Sequence, residues 1–228
     1  MNKKLIWTQL VENQYPVVSK YASKEYLQGL DLLDIKPGND IAIESINQKL
    51  KSLVDWQVVL VDGLLSEVDF FKILKNKKFP ISRKLRSESE IDYSPEPDYF
   101  HDLFGHVPLL TNKWFSGFLF ELSSIAYDNN YNKNVIDCLS RIFWYTYEVG
   151  LMMENDQIKA YGGAILSSNK EYLNVYGENS QILPFNFEVI LEKDYNYNIQ
   201  EQYYFINDVK ELYDCIPLIS KSLNSVCK

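Results

Sequence analysis

Apolar residues recur at spacings of three and four along "TQLVENQYPVVSKYASKEYLQGLDLL" (8–33), the period of a helix with one buried face, and "KPGND" (36–40) then reads as a turn. A second amphipathic segment, "DIAIESINQKLKSLV", leads into the β-branched run "WQVVLV" (56–61), bounded by Asp62 and Gly63, which is the best short strand. "SEVDFFKILKNK" predicts a helix capped by Ser66. The middle third is helical again, through "EPDYFHDLFGH", "WFSGFLFELSSIAYDN" and "NVIDCLSRIFWYTYEVGLMME". After "KAYGGAILSS" the pattern changes to aromatic, partly alternating segments such as "YNYNIQEQYYFI", which read as short strands, before a last helix "DVKELYDCIPLISKSLNSV". The fold class predicted is mainly α with a small β portion. No repeat, low-complexity tract or Gly/Ser linker divides the chain, so a single domain over residues 1–228 is expected.

Composition agrees with a packed globule: 46% of the 228 residues are hydrophobic and 14% aromatic. The formal net charge is −8, and the longest basic cluster is "KNKK" at 75–78, so neither nucleic acid nor an anionic membrane is an expected partner. The N-terminal apolar run is broken by Thr8, Gln9, Glu12 and Asn13, which argues against a signal peptide, and no run approaches the roughly 18 apolar residues of a membrane span. Cys138, Cys215 and Cys227 are widely spaced and read as reduced thiols of a cytoplasmic protein, two in the core and one in a mobile tail.

The only two histidines, His101 and His106, both lie in "PDYFHDLFGHVPLL". Paired imidazoles suit iron, copper, zinc or nickel, yet five residues on an ideal helix of 3.6 residues per turn separate two side chains by roughly 140°. Both can reach one ion if the helix ends or bends between them, and Gly105 with Val107-Pro108 supplies a candidate ending. Spacing alone leaves metal ligation and satisfied core histidines both open. An HExxH peptidase motif is excluded, and no cysteine lies near enough for structural zinc. Glu148 is the only acid between 139 and 153, in an apolar run where an unpaired charge is costly. It is either a carboxylate neutralised by Arg141 or the third ligand of a two-histidine, one-carboxylate iron site with open positions.

"DYSPEPDYFHDLFGHVPLL" (92–110), "FWYTYEVGL" (143–151), "IKAYGGAILSS" (158–168) and the upstream "VDGLLSEVDFFKILKNKKFPISRKLR" (61–86) together resemble the pterin-dependent aromatic amino acid hydroxylases, most closely the compact bacterial phenylalanine hydroxylases. The resemblance covers essentially the whole chain in order and spacing. It implies a single catalytic domain of that type, without a regulatory or tetramerisation domain and therefore monomeric. It also implies Fe(II) on His101, His106 and Glu148, and tetrahydrobiopterin against Gly63, Leu64, Leu65 and Phe70, with Asp102 nearby through water. Arg86 would take the carboxylate of the amino acid, Ser94 and Ser167 would add hydrogen bonds, and Pro97 and Trp144 would flank the ring. Asp98 would help support the ligands.

The activity implied is oxygen-dependent hydroxylation of L-phenylalanine to L-tyrosine. Val149, Phe143 and Ala164 depart from the family pattern, and "KDYNYNIQEQ" falls where ring preference varies. Phenylalanine 3-hydroxylation, tyrosine or tryptophan hydroxylation, and a non-catalytic binding protein of the same fold are the alternatives, with Trp144 leaning away from tryptophan as substrate.

Overall fold

The computed structural model describes residues 3–226 apart from 88–89, 92–93, 95, 179 and 197, and the side chains of 224–226. Cys227, expected in a mobile tail, lies outside the described residues, while Cys138 and Cys215 are buried thiols.

The N-terminal pattern forms α1 (Lys3–Tyr21) and α2 (Lys24–Leu33). Ser23 separates them; its hydroxyl accepts from the Tyr26 N–H and its own amide donates to the Ala160 carbonyl. α3 (Ile43–Val54) follows, then β1 (Gln57–Val61), α4 (Glu67–Lys75) and β2 (Lys78–Ser82). β1 and β2 pair in parallel across α4, a crossover that needs a connection about this long. Ser66 caps α4 as its sequence indicates, accepting from the Asp69 N–H at 3.1 Å.

β2 is a strand the pattern did not announce. "KFPIS" holds a proline, yet Phe79, Pro80 and Ile81 are all buried. With partners on one edge only, the strand loses little from the missing Pro80 N–H.

The histidine segment departs from expectation in an instructive way. The helix does not end at Gly105: His101–His106 is a π-helical turn that runs directly into α5 (Val107–Leu110). In a π turn the backbone bonds i to i+5, which brings residues five apart one above the other, so the awkward spacing on an α-helix is the natural one here. The Phe104 carbonyl inside the turn accepts a hydrogen bond from the Tyr26 hydroxyl at 2.7 Å.

α6 (Lys113–Asp128) and α7 (Lys133–Phe143) supply much of the core through Phe115, Phe118, Leu119, Leu122, Leu139 and Ile142. A second π-helical turn, Trp144–Glu148, continues α7, and the Thr146 hydroxyl donates to the Ile142 carbonyl at 2.6 Å. The helix predicted through Glu154 stops there. Leu151–Glu154 is β3, forming a hairpin with β4 (Gln157–Ala160) around Asn155 and Asp156, both in the left-handed region that such two-residue turns require.

Beyond the hairpin, α8 (Gly163–Leu166), α9 (Asn169–Val175) and α10 (Phe187–Glu192) interleave with β5 (Gln181–Pro184) and β6 (Gln202–Ile206). Short strands were expected in segments such as "YNYNIQEQYYFI"; among the described residues β5 and β6 form, and 195–196 and 198–200 lie outside any strand. Tyr195 packs against Trp144 instead of standing in a pleat. The sheet order is β4-β3-β6-β5. α11 (Lys210–Asp214) and α12 (Ile216–Val226) divide the final predicted helix at Cys215, just before Pro217. A mainly helical architecture with a small sheet portion is what the sequence indicated.

Candidate metal centre and its two cavities

The two π turns carry the three expected donors to one point. His101 Nε2 and His106 Nε2 lie 3.1 Å apart, and Glu148 reaches each of them at 3.3 Å, Oε2 toward His101 and Oε1 toward His106. One ligand atom from each residue falls within 4.8 Å of the others. The imidazole planes are nearly perpendicular, at 87°.

His101 is oriented by Ser167. The hydroxyl donates to the Gly163 carbonyl at 2.7 Å, so its oxygen is left to accept from His101 Nδ1–H at 2.9 Å. That contact places the proton of the neutral ring on Nδ1 and turns the Nε2 lone pair to the centre. His106 is oriented by packing instead: its Nδ1 is buried without a hydrogen-bond partner among the described residues. Gly163 lies flat against the ring, where an added Cβ would fall 2.4 Å from Cε1. Gly105 permits the same approach from the π-helical segment, since a Cβ there would sit 2.7 Å from the Gly163 carbonyl oxygen.

Burial opposes ionisation of Glu148, but the facing His106 and His101 imidazoles outweigh it and hold the carboxyl well below the usual range. For His101 burial acts against the charged form, and Glu148 overcomes it and raises the pKa. Two facing imine nitrogens and a largely enclosed carboxylate fit a divalent transition ion. The donor set neutralises part of its charge, and its arrangement leaves positions toward the cavities.

Asp98 anchors the start of the turn. Its carboxylate accepts the His101 backbone N–H at 3.0 Å, the Arg86 backbone N–H at 2.7 Å, and Arg86 Nε and Nη2 at 3.0 and 2.8 Å. Arg86 and Asp98 are 3% and 0% exposed, making this a fully buried pair. Burial raises the Asp98 pKa, and the Arg86 guanidinium more than reverses that. Asp102 accepts the Ser82 N–H at 2.7 Å; burial lifts its carboxyl to about 6 against the pull of His101.

Two cavities meet at this centre. One, of about 190 Å³, contains all five expected pterin contacts, Gly63, Leu64, Leu65, Phe70 and Asp102, together with His101, His106 and Glu148. The other, of about 100 Å³, contains the five expected substrate contacts, Arg86, Ser94, Pro97, Trp144 and Ser167, together with His101 and Glu148. Pro97 and Trp144 line both. Trp144 is held on its face by Tyr195, with ring centroids 5.0 Å apart and planes 23° apart, and at its edge by the Gln200 side-chain oxygen, which accepts from Nε1 at 3.3 Å.

The sequence reading overlooked several wall residues. Phe79, Ser82, Phe143 and Tyr195 belong to the first cavity, and Glu171, Asn198 and Ile199 to the second. Phe79, Ser82 and Phe143 lie inside quoted motifs, Phe143 as a departure from the family pattern, and could have been assigned to the wall. Glu171 carries no local signal, because only the α8–α9 turn brings it to the cavity.

A family profile described as "Biopterin-dependent aromatic amino acid hydroxylase" matches residues 1–225. A phenylalanine-4-hydroxylase of Vibrio cholerae is 35% identical over 212 residues, covering 91% of this chain and 72% of that protein. The Pseudomonas aeruginosa phenylalanine-4-hydroxylase is 32% identical over 209 residues, covering 91% and 79%. Among solved structures, Chromobacterium violaceum phenylalanine hydroxylase with bound iron(III) and oxidised 7,8-dihydrobiopterin superposes with a TM-score of 0.89 at 31% identity, covering 97% of this chain and 81% of that one. The profile spans nearly the whole sequence, and both relatives match 91% of it: the chain belongs to the biopterin-dependent aromatic amino acid hydroxylase family.

Proposed function

We propose that this chain is an Fe(II)- and tetrahydrobiopterin-dependent monooxygenase that uses molecular oxygen to hydroxylate the ring of free L-phenylalanine, giving L-tyrosine. The observation that carries the reading is the seam between the cavities: His101 and Glu148 are in the wall of both, so an ion held by them and His106 faces a ligand in each. The relatives named phenylalanine-4-hydroxylase, and the C. violaceum structure with iron and a biopterin, support the choice of cofactors and substrate.

In this reading His101, His106 and Glu148 hold iron. Gly63, Leu64, Leu65, Phe70 and Asp102 receive the pterin, while Arg86, Ser94, Pro97, Trp144 and Ser167 receive the amino acid. Bound Fe(II) and reduced pterin together supply the electrons for activating oxygen.

The chain's own residues position and exclude. Ser167 fixes the His101 tautomer and Asp98 ties the His101 backbone to Arg86, so the amino-acid cavity and the ligand turn share one rigid support. Phe70, Phe79 and Phe143 form an apolar wall, with Phe70 and Phe143 edge to face at 4.9 Å, and keep water from the reacting atoms. Trp144, held by Tyr195 and Gln200, gives the substrate ring a fixed surface. Arg86 presents only part of its fork to a ligand, because Nε and Nη2 are bonded to Asp98 and Nη1 points to the Ser167 carbonyl at 3.5 Å.

The proposal extends to a monomer working in the cytoplasm; no described helix is long and apolar enough to cross a membrane. The test is pterin oxidation by iron-loaded protein with each aromatic amino acid, followed by product identification and by light scattering for the oligomeric state. Tyrosine formed from phenylalanine supports the reading. Iron-bound protein that couples pterin oxidation to no aromatic acid defeats it.

A further inference from the structure

Glu171 is 8% exposed, lines the amino-acid cavity, and is used by none of the roles above. It sits one turn into α9, whose cap Ser168 accepts the Glu171 N–H at 3.4 Å. Arg86 Nη1 reaches the carbonyl of Ser167, the residue before that cap, so guanidinium and carboxylate flank the same α8–α9 junction.

The hydrogen bonds to the Glu171 carboxylate come from neutral groups, the Tyr203 hydroxyl at 3.2 Å and the Gln200 backbone. Such donors stabilise a carboxylate but do not neutralise it, and burial lifts its pKa to about 7. A carboxylate kept in that state calls for a cation. The other acids of this cavity are already engaged: Glu148 faces the two imidazoles, and Glu96 is exposed and paired with Lys84 at 3.4 Å. The Asp98 carboxylate is spent on Arg86.

We propose that Glu171 binds the α-ammonium group of the amino acid substrate, so that the cavity reads a zwitterion, with carboxylate at Arg86 and ammonium at Glu171. This rests on the proposed amino acid substrate and adds to it a reason for discriminating free amino acids from aromatic acids that lack the amino group. The titratable and charged groups that face Glu171 across the cavity are Tyr203 of β6, Arg86, Glu96, His101 and Glu148. Binding of the ammonium strengthens as the Glu171 carboxyl ionises.

The test is calorimetric binding of L-phenylalanine and of 3-phenylpropionate, which lacks the amino group, to iron-loaded wild type and Glu171→Gln, with reduced pterin and without oxygen. Wild type should prefer L-phenylalanine, and the variant should lose about 10- to 100-fold of that preference, the worth of a charge-assisted hydrogen bond. Its affinity for 3-phenylpropionate should be unchanged, which shows that the cavity is intact. Wild-type affinity for L-phenylalanine should fall as pH drops from 8 to 6, while that of the variant stays flat across this interval. A wild type without preference, or a variant that keeps both the preference and the pH dependence, overturns the proposal. Turnover on the same preparations reports separately on function: protein that binds through Glu171 but forms no tyrosine contradicts the hydroxylase reading and leaves this one standing.

Discussion

His101 and His106 point their Nε2 atoms at each other across 3.1 Å because the chain from one to the other, five positions on, is wound as a π turn. On an α-helix the same residues would diverge. The fold therefore sets the geometry of these donors through backbone winding, and contacts from Ser167 and Gly163 refine it.

Ser167 is the group that fixes the His101 tautomer. Ser167→Ala removes the acceptor for Nδ1–H, so iron affinity should fall about 10- to 100-fold, as is usual when the partner of a metal-bound histidine is lost. The iron-free protein should lose about 1–3 kcal/mol of stability, for the two hydrogen bonds of a buried hydroxyl, and still fold. Iron titration of the variant checks the first point and a melting curve the second; unaltered affinity would show that Ser167 does not orient the ring.

Gly163 makes room for His106. In Gly163→Ala the new methyl would meet the imidazole at 2.4 Å, and overpacking of this kind costs about 1–3 kcal/mol. The ring should move away from Glu148, and iron binding should weaken. Ala164→Gly, next along the chain, should retain iron and serves as the control in the same titration.

These sites also show what was legible. The two histidines and Glu148 stood out because polar residues in apolar runs demand a partner, and the Ser66 cap and β1 followed from local patterns. The π turns did not, since no local residue preference distinguishes i+5 from i+4 bonding; here the turn is completed by Tyr26, 78 positions from Phe104. Glu171 was invisible for a similar reason: an acid in "NKEYL" reads as a solvated helix face until the α8–α9 junction turns it inward.

Asp98 gives a pH signature. Its pKa is depressed in the folded state, so its contribution is full at neutral pH, above the unfolded value, and is lost as pH falls through the folded one. Asp98→Asn leaves Arg86 buried without its counter-charge and should cost about 3–5 kcal/mol near pH 7. Denaturant unfolding should show the gap narrowing below about pH 4.

Glu171 acts with the opposite sign. Its folded pKa is raised, to about 7, so the ligand-free protein loses stability between the ordinary carboxyl value and that pH, by at most about 3 kcal/mol. Glu171→Gln escapes this loss. The variant should match wild type near pH 4.5 and melt higher above pH 7; a variant that melts lower at pH 8 would contradict an uncompensated carboxylate.

The most direct test of the central claim is product analysis under labelled oxygen. Iron-loaded wild type with tetrahydrobiopterin and L-phenylalanine should form L-tyrosine carrying one atom from O2. Glu148→Ala, folded but unable to retain iron, should form none. Labelled tyrosine from a Glu148→Ala protein at the wild-type rate, or none from iron-loaded wild type, would contradict the account.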